Sequence, residues 1–345
     1  MLLSFILPAY NTAKFIAECL DSIKNQEAMN PNDIEIIIVD DGSTDNTLET
    51  ISLYKQHNPH LNITIIHKRN EGVSIARNVG LSKAIGDFVW FIDTDDYIHP
   101  YAYKYIHDVL ISKNPTAVYL GEYIEGCLNE NGFAYKFDPQ VDTDCYEMMP
   151  AYRLLDNKYH NGHTLYIWKR AFLNSNNLHY PEYITINEDF FFVINALLEA
   201  DTIYSNRTFR FYYYRFVQKS ASRNGKPIDK TDRYLKDRIT IISELKKRYN
   251  EYHTWGNEKQ QYFDIQMHAI TTEPIKHLLY SGTKLYLIKY YLYKLKQCGC
   301  YPMSKDTIQH TKHFYSVFNI PIIFYSVSLL FRLPIIKIAS KLKRA

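Results

Sequence analysis

Five short apolar segments alternate with amphipathic ones in the first 125 residues of this 345-residue chain, and this alternation constrains the fold most. The apolar segments are rich in β-branched and aromatic residues, which is typical of buried strands. Between them, apolar residues recur at helical spacing. Strands that alternate with helices of this length predict a mostly parallel sheet covered by helices on both faces. The predicted strands are residues 2–7, 34–39, 63–67, 88–92 and 117–120.

Short polar signals mark where the predicted helices begin. Ser43 or Thr44 suits the N-cap of the second helix,. Pro100 suits the first position of the fourth helix, because the missing N–H of proline is not needed there,. After residue 126 the pattern becomes turn-rich, residues 202–216 resemble a strand, and amphipathic helices begin near residue 229. We therefore expect a catalytic domain over residues 1–225 and a helical C-terminal region over residues 226–345.

Charge and cysteine content limit the functional classes. The formal net charge of +3 is too small to indicate a nucleic-acid partner,. The five cysteines are scattered without a paired metal-ligand spacing, so we expect reduced thiols and no zinc site,. The apolar N-terminus lacks a basic start and a cleavage site, which favours a first strand over a signal peptide,.

The C-terminal tail, about residues 314–345, has an unusual composition. Residues 314–331 carry no charge, whereas residues 332–345 contain five basic residues and no acidic one. This pattern favours an amphipathic segment on an anionic membrane surface. A packed core helix and a transmembrane span are the alternatives, although Asn319 and Pro321 weaken the span,.

Polar residues follow four of the predicted strands at the point where each ends. The four segments are residues 8–11 (PAYN), 40–45 (DDGSTD), 68–72 (KRNEG) and 93–96 (DTDD). Because parallel strands end at the same edge of a sheet, these segments should meet where ligands of open α/β sheets bind. The carboxylates of Asp93, Asp95 and Asp96 would repel one another there, and a hard divalent cation such as Mg²⁺ or Mn²⁺ would relieve that repulsion. The sequence thus predicts a metal and nucleotide site.

The same segments, in this order, resemble the family 2 glycosyltransferases, whose catalytic domain has the GT-A fold. The matching stretches are ILPAYN, IIIVDDGSTDNT, NEGVSIARNVGL and FIDTDDYIHP, and INEDFFF at 186–192 resembles the Glu-Asp motif of the family. This resemblance implies transfer of a sugar, with inversion, from a nucleotide diphosphate donor that is usually linked to UDP. The processive-synthase signature QxxRW is absent, which favours addition of a single sugar.

The resemblance also implies residue roles. Asp41 should accept a hydrogen bond from the uracil, Asp95 should coordinate the metal, and Asp93 should contact the ribose or the water shell of the metal. Asp189 should be the general base. The remaining implied donor contacts are Pro8, Ala9, Asn11, Glu71, Gly72 and Arg77.

Other residues have weaker assignments. Asn187 could cap the helix that begins at Glu188, and Glu188 could contact the acceptor,. His163 is a rival base, although a lone histidine is more often structural. Trp168 could contact the acceptor, although a core aromatic is favoured,. Arg215 and Arg223 could contact a diphosphate or be ordinary strand-end charges,.

We therefore expect an enzyme that moves one sugar from a UDP-sugar to a saccharide or lipid-linked acceptor, at the cytoplasmic face of the plasma membrane. A metal-dependent nucleotidyltransferase is one alternative, although its glycine-rich loop after the first strand is missing. A non-catalytic carbohydrate- or membrane-binding protein is another.

Overall fold

The chain divides into two compact units in a computed structural model. The first unit comprises Met1–Tyr183 and Glu188–Ser220, and the second comprises Ile184–Asn187 and Ala221–Ala345. The structure describes residues 1–134, 146–156, 162–206, 210–217, 227–251, 256–280, 284–302, 319 and 321–330.

An eight-stranded sheet forms the core of the first unit, in the strand order β3-β2-β1-β4-β10-β6-β11-β9. Strands β1 to β4 are parallel, and β10 is inserted antiparallel between β4 and β6. The strands are β1 (Leu3–Ala9), β2 (Ile34–Asp40), β3 (Ile63–His67), β4 (Phe88–Phe91), β6 (Ala117–Tyr119), β9 (Tyr146–Pro150), β10 (Tyr166–Lys169) and β11 (Thr202–Asn206).

A second, four-stranded sheet has the order β5-β12-β7-β8. Its members are β5 (Tyr97–Ile98), β7 (Tyr123–Asn129), β8 (Gly132–Phe133) and β12 (Tyr212–Phe216). Strand β12 pairs antiparallel with β5, which directly follows the acidic segment 93–96. This pairing brings a distant part of the chain next to that segment.

Helices connect the strands of the first unit. They are α1 (Ile16–Lys24), α2 (Thr47–His57), α3 (Val73–Lys83), α4 (Ala102–Lys113), α5 (Arg170–Ser175) and α6 (Glu188–Glu199). One-turn or two-turn 3₁₀ helices occupy Pro31–Asp33, Ala151–Asp156 and His163–Leu165.

Helices make up the described part of the second unit. They are α7 (Pro227–Glu251), α8 (Asn257–Tyr280), α9 (Leu285–Gln297) and α10 (Pro321–Leu330). Helix α7 contacts α8 and α9, and α10 contacts α8. Helix α10 belongs to the uncharged part of the tail, and its Phe324 is fully buried. No helix in the described ranges is both long and apolar enough to cross a bilayer. The basic segment 332–345 lies outside the described residues.

Two expected helix starts are wrong. Helix α4 begins at Ala102 with Tyr101 as N-cap, so Pro100 precedes the cap, and its carbonyl accepts a hydrogen bond from the N–H of Glu27 instead (2.8 Å). Helix α2 is preceded by Asn46, not by Ser43 or Thr44. The predicted strand over residues 202–216 is two strands in different sheets, β11 and β12.

Gly80 of α3 allows this helix to approach β1 closely. A Cβ atom at position 80 would overlap Cγ2 of Ile6 and lie 3.5 Å from Cγ2 of Val39. Ile6 is fully buried and branched at Cβ, so its methyl group has little freedom to move,.

We predict that Gly80→Ala lowers the free energy of unfolding by about 1–3 kcal/mol, because overpacking outweighs the higher helix propensity of alanine. Denaturant titration measures this change. Ser82→Ala, on the exposed side of the same helix, is the control and should be neutral or slightly stabilising. Equal effects of the two substitutions would contradict the close packing.

Candidate active site at the carboxyl edge of the parallel strands

Hydrogen bonds join the polar segments that follow β1, β2 and β4. The side-chain carbonyl of Asn11 accepts from the N–H of Thr44 (2.8 Å), and the N–H of Asn11 donates to Oγ of Ser43 (3.0 Å). Oγ1 of Thr94 donates to the carbonyl of Pro8 (3.2 Å). Asn11 itself is exposed, whereas Pro8 and Ala9 are buried at the end of β1.

Asp41 forms hydrogen bonds with the segment that follows β3, residues 68–72, at the same edge of the sheet. Its carboxylate accepts from Nζ of Lys68 (2.7 Å) and from the N–H groups of Glu71 (3.0 Å) and Gly72 (2.8 Å). Gly72 has φ +100°, a conformation that favours glycine, and it immediately precedes α3,. All four polar segments therefore lie at one edge, as their spacing predicts. Recognition of uracil by Asp41 stays a prediction.

Arg215 of β12 is a buried cation beside the acidic segment, and its carboxylate partner is Glu18. It is only 2% exposed, and its guanidinium lies 5.0 Å from the ring of Phe15. It donates to Oε2 of Glu18 (2.6 Å), to the carbonyls of Asn129 (2.8 Å) and Asp95, and through its backbone N–H to Oδ1 of Asp96 (2.8 Å). The expected contact of Arg215 with a diphosphate is therefore wrong, because the guanidinium is turned inward and fully bonded.

Arg77 of α3 is a second buried cation, and it links the two acidic motifs. Its Nη2 lies 2.9 Å from Oδ1 of Asp93, and its Nη1 lies 3.0 Å from Oε1 of Glu188. The guanidinium also lies over the ring of Tyr180 at 5.0 Å. Arg77 thereby positions the first aspartate of the acidic segment beside the residue that precedes Asp189.

His163 lies between the same two motifs. Its Nε2 is 3.5 Å from Oδ1 of Asp93, and its Nδ1 is 3.9 Å from Oδ2 of Asp189. Burial and the charge of Arg77 lower the pKa of His163, but the two carboxylates outweigh them and the net pKa is raised. The imidazole therefore favours its charged form between two carboxylates.

The same charges hold both carboxylates ionised. Burial alone would raise the pKa of Asp93, but His163 and Arg77 keep it well below its usual range. The pKa of Asp189 is also lowered, because the charges of His163 and Arg77 and the hydrogen bond from the N–H of Phe190 outweigh burial. Asp189 is therefore a carboxylate at neutral pH, which is the form that a general base needs.

Asp189 caps its own helix. Its Oδ1 accepts from the N–H of Phe190 (2.7 Å) in the first turn of α6. The expected N-cap role of Asn187 is wrong, since its side-chain oxygen makes no hydrogen bond to any residue that the structure describes.

Trp168 has no access to a ligand. It is fully buried in β10, between the rings of Tyr166 (centroids 5.2 Å apart) and Phe172 (6.0 Å). The core position, which the sequence favours over a sugar contact, is therefore confirmed, because the indole fills the core beside β10. Arg223 lies outside the described residues.

The known family whose model matches this chain is "Glycosyl transferase family 2", over residues 4–180. The match covers all four polar segments and His163. The chain belongs to this family. The resemblance seen in the four ordered motifs is thereby confirmed.

Curated relatives of this family 2 domain include two enzymes named for poly(ribitol-phosphate). A beta-glucosyltransferase of Bacillus spizizenii is 30% identical over 217 residues, which are 62% of this chain and 32% of the relative. The beta-N-acetylglucosaminyltransferase TarS of Staphylococcus aureus is 28% identical over 256 residues, which are 73% of this chain and 42% of TarS. The chain thus spans less than half the length of either relative.

Solved structures share the fold of this family 2 member. Residues 1–349 of S. aureus TarS in complex with UDP-GlcNAc superpose with a TM-score of 0.66 at 21% identity, over 96% of this chain and 90% of that one. The mannosyltransferase PcManGT from Pyrobaculum calidifontis, in complex with GDP-Man and Mn²⁺, superposes with a TM-score of 0.54 at 15% identity, over 96% of this chain and 87% of that one. The predicted fold class, a GT-A α/β fold with C-terminal helices, is confirmed.

The metal-coordinating role of Asp95 in this family 2 domain stays a prediction. Burial and the neighbouring charge of Asp93 raise the pKa of Asp95 to about 6, although Arg215 and Arg77 act in the opposite direction, so a bound cation would favour the ionised carboxylate,. No group of three or more His, Cys, Asp or Glu side chains is arranged to hold a metal within the described ranges. A cation held by Asp95 would therefore take its other ligands from a bound molecule and water, as Mg²⁺ commonly does beside phosphates.

Asp95 should destabilise the fold when it is ionised. Its pKa is raised in the folded state, so its contribution to stability is present below about pH 4 and is lost as the pH rises through 6,. In metal-free buffer, we predict that Asp95→Asn raises the free energy of unfolding at pH 8 by about 1–2 kcal/mol, after allowance for partial solvation. The gain should shrink below pH 6.

Denaturant titrations at pH 8 and pH 5 measure this effect. Asp108→Asn is the control, because the side chain of Asp108 is 89% exposed in α4. It should change stability little at either pH. If Asp95→Asn raised the free energy of unfolding equally at pH 8 and pH 5, ionised Asp95 would not be a source of instability.

Proposed function

We propose that this chain is an inverting glycosyltransferase that moves one sugar from a UDP-sugar to a hydroxyl group of a saccharide or lipid-linked acceptor. The observation that carries the proposal is the pair of contacts made by Arg77, to Asp93 and to Glu188. These contacts support a single site, because they bring Asp93 beside Glu188, the residue before the candidate base Asp189, although almost a hundred residues separate them in the sequence.

The relatives support the proposed class of donor. TarS has been crystallised with UDP-GlcNAc, and the two named relatives are a glucosyltransferase and an N-acetylglucosaminyltransferase. We therefore propose a UDP-hexose or a UDP-N-acetylhexosamine as donor. Both relatives are named for a polyol phosphate, which is rich in hydroxyl groups, and this is compatible with a glycan acceptor.

The proposed base is Asp189. The proton of an acceptor hydroxyl becomes acidic only as the new C–O bond forms, so a carboxylate with a low pKa is able to take it in the transition state. His163 and Arg77 keep Asp189 ionised until then. An attack on the sugar from the face opposite the diphosphate inverts the anomeric centre, as in single-displacement glycoside chemistry.

The donor side consists of Asp93, Asp95 and the segments fastened by Asn11 and Asp41. A bound Mg²⁺ or Mn²⁺, held by Asp95, would neutralise charge on the diphosphate as it leaves. Arg77 fixes the orientation of Asp93 (2.9 Å), so that this carboxylate is already positioned when the donor arrives. The presence of Mn²⁺ with PcManGT supports the proposed use of a divalent ion.

We predict that Asp189→Asn lowers kcat by about 10²–10⁴-fold, the usual contribution of a general base, while UDP affinity stays the same. Asp95→Ala should instead abolish metal-dependent UDP binding. UDP release from a panel of UDP-sugars, with acceptor and with Mn²⁺ or Mg²⁺, measures turnover, and calorimetry measures UDP affinity.

Asp201→Asn is the control, because Asp201 is an exposed aspartate just after α6. It should leave both quantities unchanged. Loss of UDP binding in Asp189→Asn would contradict the division of roles. Release of pyrophosphate instead of UDP would identify a nucleotidyltransferase and overturn the proposed function.

A further inference from the structure

We propose that the outward face of helix α9 is a docking surface for a membrane that contains anionic lipids. This surface, the α9 face, consists of Tyr286, Lys289, Tyr290, Tyr293 and Lys296, all of which are exposed. It is separate in the sequence from the basic tail, and it does not depend on the proposed transferase chemistry.

Helix α9 is held in one orientation within the second unit. Ile288, Leu292 and Leu295 are buried on its inner side. The hydroxyl group of Tyr291, on the same side, donates to Oδ1 of Asp232 in α7 (2.6 Å). The opposite side is therefore presented to the surroundings permanently, without any change in structure.

The α9 face is aromatic where a solvent-facing helix is normally polar. Tyr286, Tyr290 and Tyr293 are 62%, 51% and 58% exposed, and their spacings of four and three residues align them along one side,. Among the helices that the structure describes, no other has more than one large hydrophobic residue with such exposure. A concentrated exposed patch of this kind marks an interaction site more often than scattered residues do.

The charged residues of α9 and its N-cap are all lysines. Residues 284–297 include four lysines and no acidic residue. Nζ of Lys284 lies 6.0 Å from the ring of Tyr286, and Nζ of Lys294 lies 5.7 Å from the ring of Tyr290. Lysine side chains and tyrosine rings thus alternate over the α9 face. A binding partner of this face should therefore carry negative charge and also contact aromatic rings favourably.

A groove of about 670 Å³ between α7 and α9 adjoins the α9 face. Lys236, Thr240 and Lys294 are among the residues that line it. Asp232 is the one acidic residue described in the lining, and its carboxylate already accepts the hydrogen bond of Tyr291. The groove is therefore suited to the phosphate of a lipid headgroup.

A lipid surface fits this chemistry better than a glycan does. Tyrosine rings prefer the boundary between apolar chains and polar headgroups, and lysines reach from there to phosphates. Each lysine near an anionic surface strengthens binding by about fivefold. A glycan would need side chains that accept from its hydroxyl groups, and the α9 face offers only tyrosine hydroxyl oxygens for this.

Vesicle flotation with the full-length chain tests this proposal. Phosphatidylcholine vesicles with and without phosphatidylglycerol are compared, using the wild type, Lys289→Glu/Lys296→Glu and Tyr286→Ser/Tyr290→Ser/Tyr293→Ser. We expect wild-type binding to the anionic vesicles only, and a loss of about tenfold or more in the lysine variant. The tyrosine variant should also lose binding.

Lys83→Glu/Lys113→Glu makes the same charge change at exposed positions in α3 and α4, and it should bind like the wild type. Circular dichroism checks that each variant is folded. If the tyrosine variant is unfolded, the lysine variant alone decides the test. Wild-type binding by the lysine variant would assign binding to another part of the chain, such as the tail, and overturn the proposal. Retention on immobilised polysaccharide, without binding to vesicles, would overturn it as well.

Discussion

The burial of two arginines beside one acidic segment is the interaction on which the candidate site depends. A segment that contains Asp93, Asp95 and Asp96 would be repelled from any enclosed position without compensation. Arg215 supports it from β12, and Arg77 supports it from α3. Arg77 forms an ion pair with Asp93, whereas Arg215 pairs with Glu18 and holds the segment through the carbonyl of Asp95 and the carboxylate of Asp96. Removing either arginine would leave its carboxylate partner uncompensated.

This arrangement divides the three aspartates. Asp96 receives the backbone N–H of Arg215 but is buried, and burial together with the charges of Asp95 and Asp93 raises its pKa well above the usual range. Asp93 is paired with Arg77 and lies near His163. Asp95 is left with a raised pKa and with only its backbone carbonyl bonded to Arg215. The unfavourable charge at Asp95 and Asp96 is compatible with the proposed cation site, since functional sites often retain such charge. Asp95 is the less buried of the two.

The sequence predicts the parallel half of the fold well, because buried strands and amphipathic helices have local signatures. The ends of β1 to β4 lie within two residues of their predicted positions, and the polar segments that follow them meet as expected. Asp41 is recognisable by its place in the pattern, although its hydrogen bonds to the segment after β3 are not.

Pairings between distant segments leave no such local signature. Nothing near residue 163 indicates that β10 enters the sheet antiparallel beside β4, yet this insertion brings His163 to Asp93. The burial of Arg215 has no local signature either. Only the assembled four-stranded sheet shows that its guanidinium is turned inward and reaches Glu18 and the carbonyl of Asp95. The aromatic stacking that buries Trp168 is likewise a property of the assembled sheet.

Calorimetric titration of UDP into the full-length chain, first with Mn²⁺ and then with a chelator, tests the central claim most directly. The claim is that the acidic segment and its two arginines form a nucleotide site completed by a cation at Asp95. The account predicts saturable binding that is at least about tenfold, or 1.4 kcal/mol, tighter with Mn²⁺. Equal affinity under both conditions, or no binding with Mn²⁺, would contradict it.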